Sequence, residues 1–226
     1  INGYWGPFYS WLMIPFLMLN IGPVIAAKLV LFITGIFTLF AINLLLDFYK
    51  IIGYLRLYSY LFFPILIIYF VFWTVTPDLI IATLLLYYFL ILIKVNLKNY
   101  KRSAILIGVI ASIAYMTKAY AFPYFFANFS IVSFYYFYKK YMLRKNIVIF
   151  YLIGVFAFIL FSVPWITAIS FKYDKVIYST TGEHNIKKYS PENKGETGSF
   201  FTEGIIPPPN ESAINAWEDP AYLKPS

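Results

Sequence analysis

The sequence contains no cysteine, a single histidine and few charges, which make up 12% of its 226 residues. Without cysteine there is no disulfide, no thiolate metal site and no cysteine nucleophile, and the redox compartment stays open. One histidine, His184, cannot build a His-rich metal site and gives little support to a Ser-His-Asp triad. Haem and iron–sulfur centres lack ligands for the same reason. No P-loop and no Gly-x-Gly-x-x-Gly run is present, so a nucleotide phosphate cradle is not expected. No internal repeat and no small-xxx-small dimer motif of the Gly-x-x-x-Gly kind stands out. No metal site and no cofactor is predicted, and a role for a divalent metal is left open.

What the chain has in excess is apolar surface. It is 61% hydrophobic and 23% aromatic, where a soluble domain of this size is nearer half apolar and a quarter charged. That excess points to an all-α integral membrane protein. A spanning helix needs about 20 apolar residues. Six spans are expected near 24–46, 57–75, 79–95, 103–119, 121–138 and 147–169. The runs do not alternate apolar with polar residues, which excludes a transmembrane β-barrel pattern. In hydrocarbon the backbone must satisfy its own hydrogen bonds, so the runs are expected to be helices. The segment 7–19 is too short to cross. Its aromatic residues fit an interfacial helix, with a buried re-entrant piece as the alternative. The chain opens at Ile1 in mid-pattern, without a Met or a signal peptide, and is read as a piece of a longer membrane protein.

The charges are sorted by loop. Lys50, Arg56, Lys94, Lys98, Lys101, Arg102, Lys139, Lys140, Arg144 and Lys145 fall at every second turn, with Asp47 the one acid among them. The remaining eight basic residues stand against nine acids. The net charge of +8 is therefore an orientation signal of the positive-inside kind and not a nucleic-acid surface. The basic loops are expected in the cytoplasm of a multi-pass inner-membrane protein. Residues 1–23, Asp78, Lys118 and 171–226 are then expected on the outer face. Two regions follow: a multi-span membrane domain over 1–170 and a polar, loop-rich outer-face tail over 171–226. The Pro207-Pro208-Pro209 run in the tail favours an extended conformation.

Two ionisable residues stand at outer span ends. Asp78 follows Thr76-Pro77, where a carboxylate complements a helix N-terminus or faces a pocket at membrane level. Lys118 lies within MTKAYAF between two apolar spans. It either snorkels to the interface or offers a cation to a phosphate or pyrophosphate. Lys28 is a weaker candidate of the same type. Tyr4, Trp5, Phe8, Tyr9 and Trp11 form an aromatic cluster that suits an interfacial belt, and aromatic faces also stack on sugars. In the tail, Glu183 and His184 sit in a turn-prone stretch rich in donors and acceptors, a plain surface loop or part of a binding site.

Three motifs together carry a resemblance. NGYWGPFYSWLMIPF before a span, TPDL opening a later span, and GVIASIAYMTKAYAFPYFF resemble segments of the GT-C type polyprenyl-phosphate-sugar-dependent membrane glycosyltransferases. That group includes the protein mannosyltransferases and the lipid A aminoarabinose transferase. The resemblance covers about residues 2–170. It implies an enzyme that moves a sugar from a polyprenyl-phosphate carrier to a glycan, lipid or protein acceptor on the outer face of a bacterial membrane. Tyr4 and Trp5 would then belong to the family's aromatic-proline segment and bind substrate. Asp78 matches an acidic residue near the donor or acceptor and is the catalytic candidate in this chain. Lys118 matches a lysine that partners phosphate, with Ala119 where the family has glycine. The resemblance also implies that the principal base lies upstream of Ile1. Tail segments with Glu183 and His184 resemble outer-face stretches of bacterial members. The partners implied are the lipid bilayer, the lipid-linked donor and the acceptor, with no nucleic acid. A transporter or flippase-like protein is the alternative, and a structural membrane subunit is a third reading. Transporters tend to carry their charges at mid-span, whereas here they sit at span ends.

Overall fold

A computed structural model describes residues 6–95 and 99–181. Over those residues the secondary structure is helical throughout. The elements are α1 Phe8–Met18, α2 Pro23–Phe48, α3 Gly53–Trp73, α4 Asp78–Ile93, α5 Tyr100–Thr117, α6 Ala121–Tyr138 and α7 Arg144–Tyr173. A helix stands at each apolar run of the sequence and at the short segment that precedes them. The chain divides into two units, Ile1–Thr180 and Thr181–Ser226. Apart from Thr181, the second unit lies outside the described residues.

Among the described residues three helices, α2, α3 and α7, are long and apolar enough to cross a membrane. α4 has 16 residues, and α5 and α6 have 18 each. At 1.5 Å per residue these reach about 24 and 27 Å, short of the roughly 30 Å hydrocarbon layer. The shorter helices include the best-shielded ones. α5 buries nine residues and α4 seven, while α3 buries only Ile67 and Val71. A helix enclosed by neighbours has no need to match the lipid thickness by itself.

Helix ends follow local chemistry. Gly22 caps α2 and Pro23 opens it, where a missing N–H costs nothing. α1, α2 and α6 end alike, with Asn20, Lys50 and Lys140 in the left-handed region at φ 58°, 54° and 53°. In each case that residue's own amide and the one after it turn back onto the last-turn carbonyls, as when Lys50 N–H donates to Asp47 O and Ile51 N–H to Leu46 O. A lysine at two of these stops also places a cation at the negative end of the helix dipole.

The helices alternate in direction, so the basic turns collect at one end. There the Lys94 ammonium lies over the Phe48 ring, Tyr136 donates to the Leu92 carbonyl, and Tyr100 donates to Asn146. Arg56 binds Asp47 at 2.7 Å and Asn43 at 2.7 Å, joining α3 to α2. Asp78 and Lys118 stand at the opposite end.

Two apolar cores hold the unit. The smaller joins α2, α3 and α4 through Val30, Leu31, Ile67, Val71, Leu79 and Ile80. Within it the Thr38 and Thr83 hydroxyls meet at 2.6 Å, a buried polar link between α2 and α4. The larger core is aromatic. Phe125 stacks on Phe158 at 4.4 Å and on Phe129 at 5.2 Å, and Phe129 stacks on Tyr151 at 5.5 Å.

The most extensive helix pair is α5 against α7. Small residues make it possible. Ala104, Gly108 and Ser112 recur every four residues on α5 and are buried, and α7 answers with Gly154 and Ala157. A Cβ added at Gly108 would strike the Gly154 carbonyl oxygen, the Ala157 Cβ and the Phe158 amide. This is a small-xxx-small contact, and it corrects the expectation that the chain holds none: alanine and serine fill places where the expectation looked for glycine. Replacing Gly108 with Ile is expected to destabilise the unit by about 1–3 kcal/mol through overpacking. Thermal unfolding in detergent checks this, with Gly22→Ala as a control because a Cβ there meets nothing within 4 Å. Equal melting temperatures for Gly108→Ile and wild type would contradict the close approach.

Candidate functional site

Asp78 and Lys118 are forty residues apart in sequence and meet in space. The Lys118 ammonium donates to Asp78 Oδ1 at 2.5 Å. The two side chains arrive by different local routes. Pro77 ends the extended turn that follows α3 and sets Asp78 in the first turn of α4. Lys118 caps α5 in an extended conformation, with φ −145° and ψ 129°, and its amide still bonds to Ala114 O. The α5–α6 turn then closes with the Ala121 amide on the Lys118 carbonyl at 3.1 Å.

The pair is partly shielded. The Lys118 side chain keeps 23% of its accessible surface and that of Asp78 keeps 45%. The lysine is thus the deeper partner. Asp78 lies at the polar tip of α4, outside the apolar run that follows it. Burial works against its charge, but hydrogen bonds from Lys118 and from the Thr76 hydroxyl outweigh that and hold the carboxyl below its ordinary value. Tyr120, in the turn after Lys118, lies within electrostatic reach of Asp78.

Two further segments fix the turn that carries Lys118. The Gly6 backbone lies against the Met116–Thr117 peptide, so closely that a Cβ at Gly6 would collide with the Met116 carbonyl. Only glycine permits that approach. The start of α1 is thereby held beside the end of α5. Beyond α7 the chain folds back. Ser170 holds Ile177 by its amide and carbonyl, each at 3.1 Å. The Tyr115 hydroxyl donates to the Tyr178 carbonyl at 2.5 Å, and the Tyr178 ring stacks on Phe122 at 4.7 Å.

An open groove of about 480 Å³ runs between α2, α3 and α4. Its walls are apolar, with Ile42, Leu46, Phe63, Phe70 and Leu79 among them, and Asp78 stands on its rim. Tyr49 and Ile51 mark its far, basic end. The groove therefore runs along the helices from the ion pair toward the opposite end of the unit.

The sequence candidates fare differently. Asp78 and Lys118 converge. Phe8 packs against both apolar cores and Tyr9 against the smaller one, and Trp11 is 48% exposed. Lys28 is half-buried on α2 and makes no ion pair with another described residue. Tyr4, Trp5, Glu183 and His184 lie outside the described residues. No group of three or more His, Cys, Asp or Glu suited to a metal occurs among the described residues. Sequence reasoning missed Thr76, which holds Asp78, and the Tyr115–Tyr178 bond, which holds the turn. Thr76 was visible next to Pro77-Asp78 as a side-chain donor. A bond from a hydroxyl on α5 to a carbonyl 63 residues away leaves no local mark.

Comparison with protein-family models, with curated proteins and with solved structures finds no match.

A partly exposed pair of this kind contributes less than about 1 kcal/mol to stability. The direction of its pH dependence follows from the lowered carboxyl. Its contribution is complete above the unfolded aspartate value of about 3.9 and fades as pH falls through the lower folded value. Melting temperatures of wild type and Asp78→Asn are therefore expected to differ by a constant small amount from neutral pH to about 4.5 and to converge below it. A difference that persists unchanged at pH 2 would show that the carboxylate is not paired.

Proposed function

We propose that the chain is a membrane glycosyltransferase module that takes a sugar from a polyprenyl-phosphate carrier, with Lys118 holding the carrier's phosphate. The observation that carries this reading is the ion pair between Lys118 and Asp78, where Asp78 also lines the end of an apolar groove. The groove offers a wall for a long hydrocarbon chain, and Asp78 on its rim leads to the lysine. Ionisable residues at membrane depth are costly and tend to be functional.

In this reading the basic ends of the helices lie in the cytoplasm and the Asp78–Lys118 end faces outward, as the charge asymmetry of the loops directs. All six longer helices cross, with the short α4 and α5 shielded inside the bundle. The deep, ion-paired Lys118 is the group that stabilises charge on the phosphate as it leaves the anomeric carbon. Fixed charge at a developing anion is often the largest single contribution to catalysis. Asp78 is ion-paired and held below the ordinary carboxylate range, so it is a weak base. Its place is beside the phosphate site, and we do not give it the deprotonation of the acceptor.

The test is transfer of labelled sugar from a polyprenyl-phosphate donor, in membranes bearing the protein in its natural length. Lys118→Ala is expected to lower the transfer rate by about 10²–10³-fold at equal expression. Wild-type rates in that variant would remove the assignment. Uptake of label into vesicles without a covalent product would favour a transporter instead.

A further inference from the structure

Within the phosphate-site reading, Asp78 has a second property. It occupies the position on Lys118 that an anionic ligand would need. The carboxylate is the more exposed partner, at 45% against 23%. The Lys118 main chain is held by its amide bond to Ala114 and by the closure of the α5–α6 turn. Asp78 is the partner that solvent or a ligand reaches first. If it leaves the lysine, it stays at the amino end of α4, which favours negative charge. The ammonium has three N–H donors, and Asp78 takes one of them at 2.5 Å. The apolar groove begins at Asp78. A ligand whose hydrocarbon chain lies along that groove would bring its head to the place where the carboxylate now stands.

We propose that Asp78 is the resident counter-ion of Lys118, displaced by the head of a lipid phosphate whose chain occupies the α2–α3–α4 groove. Asp78 is then a competitor that sets affinity and rejects ligands unable to replace it. It neutralises a half-buried ammonium in the empty state and prevents casual occupation by weak anions. A phosphomonoester, the form of the carrier without its sugar, carries more charge than the carboxylate and offers three acceptor oxygens, and the burial of its chain in the groove adds what inorganic phosphate lacks. This inference rests on the phosphate-site reading but not on sugar transfer.

The experiment measures equilibrium binding to the purified chain in nanodiscs, with farnesyl phosphate, inorganic phosphate and farnesol as probes. Asp78→Asn, which keeps shape and removes charge, is expected to bind farnesyl phosphate about threefold or more tightly than wild type. Lys118→Ala is expected to weaken it by about tenfold or more. The double variant should match Lys118→Ala within about twofold, because the competitor acts only through the lysine. Farnesol should respond to none of these changes. Weaker binding in Asp78→Asn would overturn the proposal, as would a gain that survives in the double variant. Inorganic phosphate bound as tightly as farnesyl phosphate would overturn the lipid as the ligand. The binding pattern without any sugar transfer would leave this inference standing and remove the transferase reading. Lys118-dependent transfer together with weakened binding in Asp78→Asn would do the reverse.

Discussion

The close approach of α5 and α7 determines where everything at the ion-paired end can stand. Gly108 and Gly154 let the two backbones come within a side chain's thickness of each other. That places α5 in the centre, with nine buried residues, and leaves α4 and α7 on its flanks. Lys118 is the residue at which α5 stops. A larger side chain at Gly108 would push α5 off α7 and shift Lys118 relative to Asp78 on α4. The electrostatic pair is therefore set by a steric contact ten residues upstream, which contains no charge at all.

The same end of the unit shows why the lysine is deep and the acid shallow. Three separate pieces of chain converge on the Lys118 turn. Gly6 lies on the Met116–Thr117 peptide, Tyr178 is bonded to Tyr115 and stacked on Phe122, and the turn closes on its own carbonyl. Asp78 has no such enclosure. It is held by Thr76 and by Lys118 itself, on a helix tip that follows Pro77. Aromatic residues do much of this packing. The sequence assigns only the amino-terminal aromatic cluster, to a belt at the membrane surface. Other aromatic residues build the interior, as in the stack from Phe158 through Phe125 and Phe129 to Tyr151.

The helices and their approximate limits were legible because hydrocarbon-like runs announce themselves, and Pro23, Pro77 and the Lys-rich turns punctuate them. Asp78 and Lys118 were each visible as ionisable residues at run ends. Their meeting was not, since it depends on which faces of α4 and α5 pack together, and all-apolar helices carry almost no facial signal. Thr38 and Thr83 were hidden for a related reason: a threonine inside an apolar run gives no hint of whether it bonds its own helix or a neighbour. The α5 stripe of Ala104, Gly108 and Ser112 was in plain view. It is overlooked when only paired glycines are sought, although alanine and serine admit a neighbouring backbone nearly as well.

The groove beside the ion pair has walls of unequal strength. α2 and α4 are tied by the Thr38–Thr83 link and by burial of Val30, Leu31 and Ile80. α3 buries only Ile67 and Val71 and is fastened to α2 at its basic end by the Arg56 contacts with Asn43 and Asp47. Few buried apolar contacts place a helix at the low end of local stability. α3 is accordingly the wall that yields most easily, and it is anchored at the end away from Asp78. The groove therefore has Asp78, ion-paired to Lys118, at one end and a compliant side along its length. A rigid groove would fit one hydrocarbon shape, whereas in the proposed reading a compliant one admits a bulky, variable chain and leaves discrimination to the charged head.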